Sequence, residues 1–327
     1  MPSLFRSLRA KTLVIFACLP LFILAACGNS STTTTGGGSS PSNPNANVTL
    51  TVGGKLDTES KILTKIYTLA LRDAGFKVNE KAAFGNNTIV FSGIKSGAID
   101  LYPEFTATGL DALKKTSSLD DAKDYQTVKD GFKQQFQIDW LDYAPLNDTY
   151  AVCVQQGNSL GLKTISDLAS KAKQVTFDLP SDSTYVFDYL KPKYNLTLNS
   201  FKDVHKVDYT IGFKEVSGGQ AQANFCYSTD GGITTNKLTV LADDQHAFPA
   251  YHPAPIVRAS VLSKSPDIAT ALNALAPKLT TQTSLDLQQQ VAKNMNNNMS
   301  QNQAIYQAAK AWLQNQGLCK KSGCANS

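Results

Sequence analysis

The sequence is poor in the parts from which enzymes and nucleic-acid binders are built. Its 327 residues hold three histidines, His205, His246 and His252. No Gly-x-Ser-x-Gly elbow, Walker loop, Gly-x-Gly-x-x-Gly turn or His-Glu-x-x-His pair occurs, so no motif for acyl transfer, nucleotide binding or zinc hydrolysis is present. The absence of Cys-x-x-Cys argues against thioredoxin-like and zinc-ribbon chemistry. Charge is near balance, with 31 Lys+Arg against 26 Asp+Glu. Arg6, Arg9 and Lys11 sit in the leader, and without them 28 basic residues face 26 acidic ones. No basic stripe follows the chain, which argues against nucleic acid as a partner. His246 and His252, with Asp243 and Asp244, could be drawn as the metal site of an anchored hydrolase. Two histidines six apart in a Pro-containing loop read instead as solvated loop residues, and no metal or cofactor is expected.

What is present begins with a leader. A basic start precedes the apolar run Thr12 to Ala26, which is too short to span a bilayer comfortably. It ends in Leu24-Ala25-Ala26-Cys27-Gly28, which resembles a bacterial lipobox. Residues 1–27 thus read as a lipoprotein signal peptide, with Cys27 the lipid attachment point, so that the mature chain is anchored to a membrane and does not span it. Residues 28–47 are uncharged and of low complexity and read as a flexible tether.

The folded body runs from Val48 to Leu318, about 270 residues and enough for two lobes. A strand is expected at 48–52, and Ile62, Leu63, Ile66 and Leu69 predict an amphipathic helix from Asp57 to Ala74. A strand at 76–81, a helix at 87–95 and a strand at 99–102 complete a β-α-β-α-β order, which implies a parallel sheet. That last strand ends in Tyr102-Pro103-Glu104-Phe105, where an open α/β sheet presents ligand sites. After a helix at 125–136 the pattern restarts near Pro145. Strands are expected at 150–154, 175–177, 198–201, 224–227 and 238–241, with helices at 166–172 (capped by Ser166), 183–190 and 208–216. A strand at 254–258 and helices at 268–275, 284–295 and 301–314 follow, the helices reading as caps for the first lobe.

The expected fold is α/β with two lobes, each a mainly parallel sheet flanked by helices. Lobe 1 takes 48–144 and 241–318, lobe 2 takes 145–240, and 319–327 form a tail. Crossovers near Pro145 and Leu241 would leave a cleft that closes by hinge motion and suits a small ligand. Four cysteines lie in the body. Cys319 and Cys324 enclose four residues and could close on each other, while Cys153 and Cys226 sit in strand-like runs and could bridge neighbours. Buried free thiols are the alternative for either pair.

The aromatic residues are more telling. Phe105, Tyr150, Tyr227 and Tyr251 each fall at a predicted strand end or crossover. Singly each reads as core or rim packing. Placed together around one cleft, they form what recognition of a quaternary ammonium requires. Such a cation has no hydrogen-bond donor, so ring quadrupoles and apolar contact must hold it.

The chain resembles the substrate-binding lipoproteins of osmoprotectant ABC importers, the glycine betaine/carnitine/choline-binding family, over essentially all of 48–318. Five ordered segments carry the resemblance: Gly53-Gly54-Lys55, Ile99 to Gly109, Asn147 to Val152, Tyr227 to Gly231, and Phe248 to Tyr251 followed by Ala254-Pro255. It implies a type II periplasmic-binding-protein fold and a cage of Phe105, Tyr150, Tyr227 and Tyr251, with Thr108 and Lys55 toward the ligand's polar end. It implies an extracytoplasmic, lipid-anchored monomer with no enzymatic activity, whose partners are a quaternary-ammonium solute and an ABC permease. Two departures matter. Phe105 stands where the family usually has Tyr, and segment 182–188 lacks the Arg that betaine binders direct at the carboxylate. Either Lys55 supplies that charge or choline, which needs none, is favoured. The rival readings are the anchored hydrolase and a solute sensor feeding a receptor.

Overall fold

The computed structural model describes residues 43–319 and residue 324. The expected signal peptide, Cys27 and residues 28–42 of the expected tether lie outside the described residues. The last tether residues pack on the body. Pro44–Asn47 form a 3-10 turn in which Asn45 is buried, its amide donating to Ala74 O at 3.0 Å and Asp267 Oδ2 at 3.1 Å. Two acceptors brought by distant segments anchor a stretch whose own composition offers nothing to bury.

The chain starts with β1 (Thr49–Gly53) and α1 (Thr58–Asp73). Asp57 caps α1 by accepting from Ser60 N at 2.7 Å. Then come β2 (Lys77–Lys81), α2 (Asn87–Ser96), β3 (Leu101–Phe105), α3 (Thr106–Ala112), α4 (Asp121–Phe136) and β4 (Ile138–Trp140). β3 starts and ends later than the Ile99–Tyr102 run suggests. Pro103 does not stop it, because β1 pairs with β3 only at Val52–Leu101, so no ladder donor is needed from Pro103 on that side.

The second lobe comprises β5 (Tyr150–Gln155), α5 (Ile165–Lys171), β6 (Thr176–Leu179), α6 (Val186–Tyr194), β7 (Asp203–Lys206), α7 (Tyr209–Gly218), β8 (Ala223–Tyr227), α8 (Gly231–Thr235) and β9 (Leu238–Val240). Two local expectations change here. Thr164, not Ser166, caps α5, in a reciprocal capping box with Asp167. Residues 198–201 are not a strand: Thr197 and Ser200 cap each other around a 3-10 turn, and the strand follows as β7. The chain then returns through β10 (Pro253–Arg258) to α9 (Ala259–Leu262), α10 (Asp267–Asn273), α11 (Thr281–Asn296) and α12 (Gln301–Asn315).

The first sheet has the order β2-β1-β3-β10-β4 and the second β7-β6-β8-β5-β9. Both are mixed. In each, the first three strands run parallel and the last two pair antiparallel. The antiparallel strands are those that flank the two crossovers, where the chain enters or leaves a lobe. Strand alternation fills both faces of each sheet. In the first, Leu101, Phe105 and Val257 pack with α1 and α10–α12, while Tyr102 and Ile256 pack with Phe132 and Trp140 on the other face. In the second, Val152, Phe177 and Phe225 share one core, and Ala151, Cys153, Phe213 and Cys226 share the opposite one. Cys153 and Cys226 are bonded there (S–S 2.06 Å), diagonal neighbours on β5 and β8. Cys319 and Cys324 are also bonded, and Tyr306 Oη donates to Cys324 O at 3.1 Å, tying the tail to the first lobe. Among the described residues no helix is long and apolar enough to cross a membrane.

Candidate ligand-binding site

Two connections run side by side between the sheets. Asp148 N donates to Tyr251 O at 3.1 Å, Tyr251 N to Asn147 Oδ1 at 2.7 Å, and Thr149 Oγ1 to Pro249 O at 2.7 Å. This zipper holds Tyr251 beside Tyr150, the first residue of β5. Tyr150 lies directly opposite Tyr227, the last residue of β8, so the two rings leave the sheet on one face.

Tyr150 is the hub of a ring cluster. Its centroid lies 5.8 Å from Tyr227, 5.7 Å from Tyr251, 5.5 Å from Tyr185 and 5.4 Å from Tyr189. Phe225 and Phe248 complete the surround at 6.1 and 6.0 Å. The phenols link through Tyr150 Oη···Tyr251 Oη (3.1 Å) and Tyr185 Oη···Tyr227 Oη (3.4 Å). Burial holds Tyr150 up at about 12 and raises Tyr227 and Tyr251 further, so all three are neutral. Tyr150, Tyr227 and Tyr251 are only half-buried. Tyr150 and Tyr251 line one open space, and Tyr227 lines a second, beside Ser183, Tyr209 and Phe225.

A cavity of about 420 Å³ borders this cluster. Ala107, Leu110 and Asp111 line it from α3, Tyr189 and Asp188 from α6, and Pro249 with Tyr251 from the crossover. Two carboxylates, Asp111 and Asp188, therefore line the same space as Tyr150, Tyr189 and Tyr251. Lys115 and Lys193 line the same space. Burial, and then Glu104, raise Asp111 above its ordinary value.

The remaining expected site residues lie on the first lobe. Phe105 is buried at the end of β3, and it is not among the rings packed on Tyr150 in the described residues. The Lys55 ammonium sits 5.0 Å from its centroid. Lys55 is itself buried and bonded to Glu104 Oε1 at 2.5 Å. Glu104 also accepts from Tyr102 Oη at 2.7 Å and from Phe105 N at 2.8 Å. A Cβ at Gly54 would meet Thr64 Oγ1 at 2.3 Å and Ala82 O at 2.7 Å, so only glycine lets the chain just after β1 lie this close to α1. Thr108 is half-buried on α3, the helix that lines the cavity.

Tyr185 and Tyr189 are additions the sequence reading lacks. Their i, i+4 spacing is the signal that could have found them, since it puts both rings on one helix face. The histidines do not assemble. His252 is buried, with Nδ1 at 2.7 Å from Leu146 O and Nε2 at 3.0 Å from Asp121 Oδ2, rather than solvated. His246 is exposed, and Asp243 accepts from Ala247 N, Phe248 N and Tyr194 Oη.

At the crossover, carboxylates from both sides meet. Buried Glu59, in the first turn of α1, accepts from Ser284 Oγ, and its Oε1 has no hydrogen-bond partner. Asp148 accepts from Thr229 Oγ1 at 2.6 Å, and Gln288 Nε2 of α11 donates to Thr229 O at 2.6 Å. Burial, and then the nearby Asp148, push Glu59 up to about 8, while burial pushes Asp148 up to about 6.

A family described as the substrate-binding domain of an ABC-type glycine betaine transport system matches residues 48–315. A glycine-betaine-binding protein of Pseudomonas aeruginosa is 30% identical over 71% of this chain and 78% of its own. An ergothioneine transport permease/ergothioneine binding protein of Helicobacter pylori is 26% identical over 77% of this chain, which spans 46% of that longer protein. A crystal structure described as a glycine betaine/carnitine/choline ABC transporter superposes with a TM-score of 0.74 at 22% identity, covering 83% of this chain and 100% of that one. That likeness shows the fold, the two-lobed type II periplasmic-binding-protein architecture. The chain belongs to the family of substrate-binding domains of ABC-type glycine betaine transport systems, and it is a binding protein, not an enzyme.

Proposed function

We propose that this protein captures a quaternary-ammonium solute outside the cytoplasm, between lobes 48–144 with 241–318 and 145–240, and delivers it to the permease of an ABC importer. The observation that carries this reading is the half-buried ring cluster around Tyr150, bordered by a cavity that also holds Asp111 and Asp188. A trimethylammonium group fits that environment because rings and nearby carboxylates attract a cation that cannot donate hydrogen bonds. Tyr150, Tyr227 and Tyr251 form the cage in this reading, with Tyr185 and Tyr189 as further walls. Phe105 and Thr108 belong to the facing wall and approach as the lobes close. Closure follows only if the solute binds the closed form more tightly than the open one.

The polar end is read differently from the cation. Lys55 is neutralised by Glu104, so it supports Phe105 rather than clamping a carboxylate. Lys115 and Lys193 are the cations on the cavity wall, and they would receive the carboxylate of a betaine-type solute. Glycine betaine and ergothioneine, for which two of the relatives are named, both pair a trimethylammonium group with a carboxylate. Lipidation at Cys27 would keep the protein at the membrane, close to its permease.

A thermal-shift panel tests the reading. Glycine betaine, carnitine, choline and ergothioneine should include at least one that raises the melting midpoint in proportion to the logarithm of its concentration. Glycine and ethanolamine, which lack the methyl groups, should not. A panel in which no quaternary amine shifts the midpoint overturns it.

A further inference from the structure

The second lobe carries a side-chain group that the ligand site does not use. Asp178 of β6 and His205 of β7 are directly paired in register, so they lie side by side on one sheet face. Their neighbours Phe177 and Leu179 point into the core against which Tyr150 and Tyr227 pack. Asp178 therefore points the other way, toward α7. That helix comes close at Gly212, where a Cβ would stand 3.6 Å from Asp178 Cβ, and it brings Glu215 over the pair one turn later.

The three ligand atoms lie within 4.8 Å of one another. His205 Nδ1 is 3.2 Å from Asp178 Oδ1 and 3.7 Å from Glu215 Oε2. The Asp178 side chain is fully buried, yet neither of its oxygens has a hydrogen-bond partner. Asn224 Oδ1, on the strand paired with Asp178 on the other side, is buried and unpartnered as well. His205 Nδ1 faces both carboxylates, so acceptors outnumber donors in this group, an arrangement that a cation relieves.

We propose that Asp178, His205 and Glu215 form a zinc site that ties β6, β7 and α7 together. One imidazole and two carboxylates are zinc donors. Tetrahedral donors about 2.0–2.2 Å from zinc lie roughly 3.3–3.6 Å apart, close to the spacing seen here. His205 Nε2 faces Asp203 Oδ2 at 3.4 Å. A proton on Nε2 directed at that carboxylate leaves Nδ1 to the metal, the usual outer-shell arrangement for a ligating histidine. The His205 and Glu215 side chains are 40% and 30% exposed, which leaves the fourth position to water.

The test uses the full mature chain without an affinity tag, treated with EDTA, dialysed, and kept without reductant so that the cysteines stay bonded. Zinc alone is titrated by calorimetry. One equivalent should bind and raise the melting midpoint, and His205→Ala should weaken binding by at least about tenfold. Asp178→Asn should do the same. The His205 side chain is 40% exposed, so its variant is expected to fold and keeps the test valid if Asp178→Asn does not. Failure of the wild-type chain to bind stoichiometric zinc, or unchanged zinc affinity in His205→Ala, overturns the proposal.

Discussion

Glu59→Gln should change how stability depends on pH, and the sign follows from the structure. The Glu59 carboxyl is raised from 4.5 to about 8, and that of Asp148 from 3.8 to about 6. Between those limits the folded chain holds protons that the unfolded chain has released. Stability is therefore greatest at acid pH and falls as pH rises through the window. Each group contributes a slope of up to about 1.4 kcal/mol per pH unit. Above Asp148's value of about 6 the slope belongs to Glu59 and, up to about 7, to Asp178 as well. Glutamine has the shape of the protonated acid and can still accept from Ser284. The variant should match the wild type near pH 5 and exceed it by roughly 3–4 kcal/mol near pH 8. Asp178, raised to about 7 by burial and Glu215, titrates in the same direction. The difference between variant and wild type, measured by urea unfolding in EDTA, isolates Glu59. A difference that stays constant from acid to mildly alkaline pH refutes the reasoning, because Glu59 would then carry its charge throughout.

Tyr150→Ala removes the hub of the ring cluster and should weaken binding of a quaternary amine about tenfold or more, whereas Tyr150→Phe keeps the ring and should cost about fivefold or less through the lost bond to Tyr251; calorimetry distinguishes them. Lys55→Met leaves Glu104 buried without its partner and should cost roughly 3–5 kcal/mol of stability, with the preference between glycine betaine and choline unchanged. Loss of betaine affinity alone, at full stability, would return Lys55 to the ligand. Cys27→Ala, expressed in a bacterium that lipidates exported proteins, should move the chain from the membrane to the soluble fraction; retention at the membrane counts against lipidation.

Local patterning made much of the fold legible. The 62/63/66/69 stripe marks α1, and Tyr150 and Tyr227 sit at the ends of short β-branched or aromatic runs that became β5 and β8. What was hidden depends on partners far away in sequence. Lys55 beside two glycines reads as a cleft residue, and its ion-pair partner Glu104 lies 49 positions on, beyond any local pattern. His252 reads as a loop residue, but Leu146 and Asp121 bury it. Tyr185 and Tyr189 open an unremarkable helix, and only the packing of α6 against the start of β5 turns their shared face toward Tyr150. The mixed strand direction was equally invisible, because it follows from the way the chain crosses between lobes.

The most direct measurement compares choline with its neutral carbon isostere, in which a quaternary carbon replaces the nitrogen. The two have nearly the same shape and hydroxyl, so their affinity ratio reports the charge alone. If Tyr150, Tyr227 and Tyr251 hold a cation, calorimetry should find choline at least about tenfold tighter. Equal affinities would mean that the rings form only an apolar pocket, and a quaternary ammonium would no longer be the ligand they select.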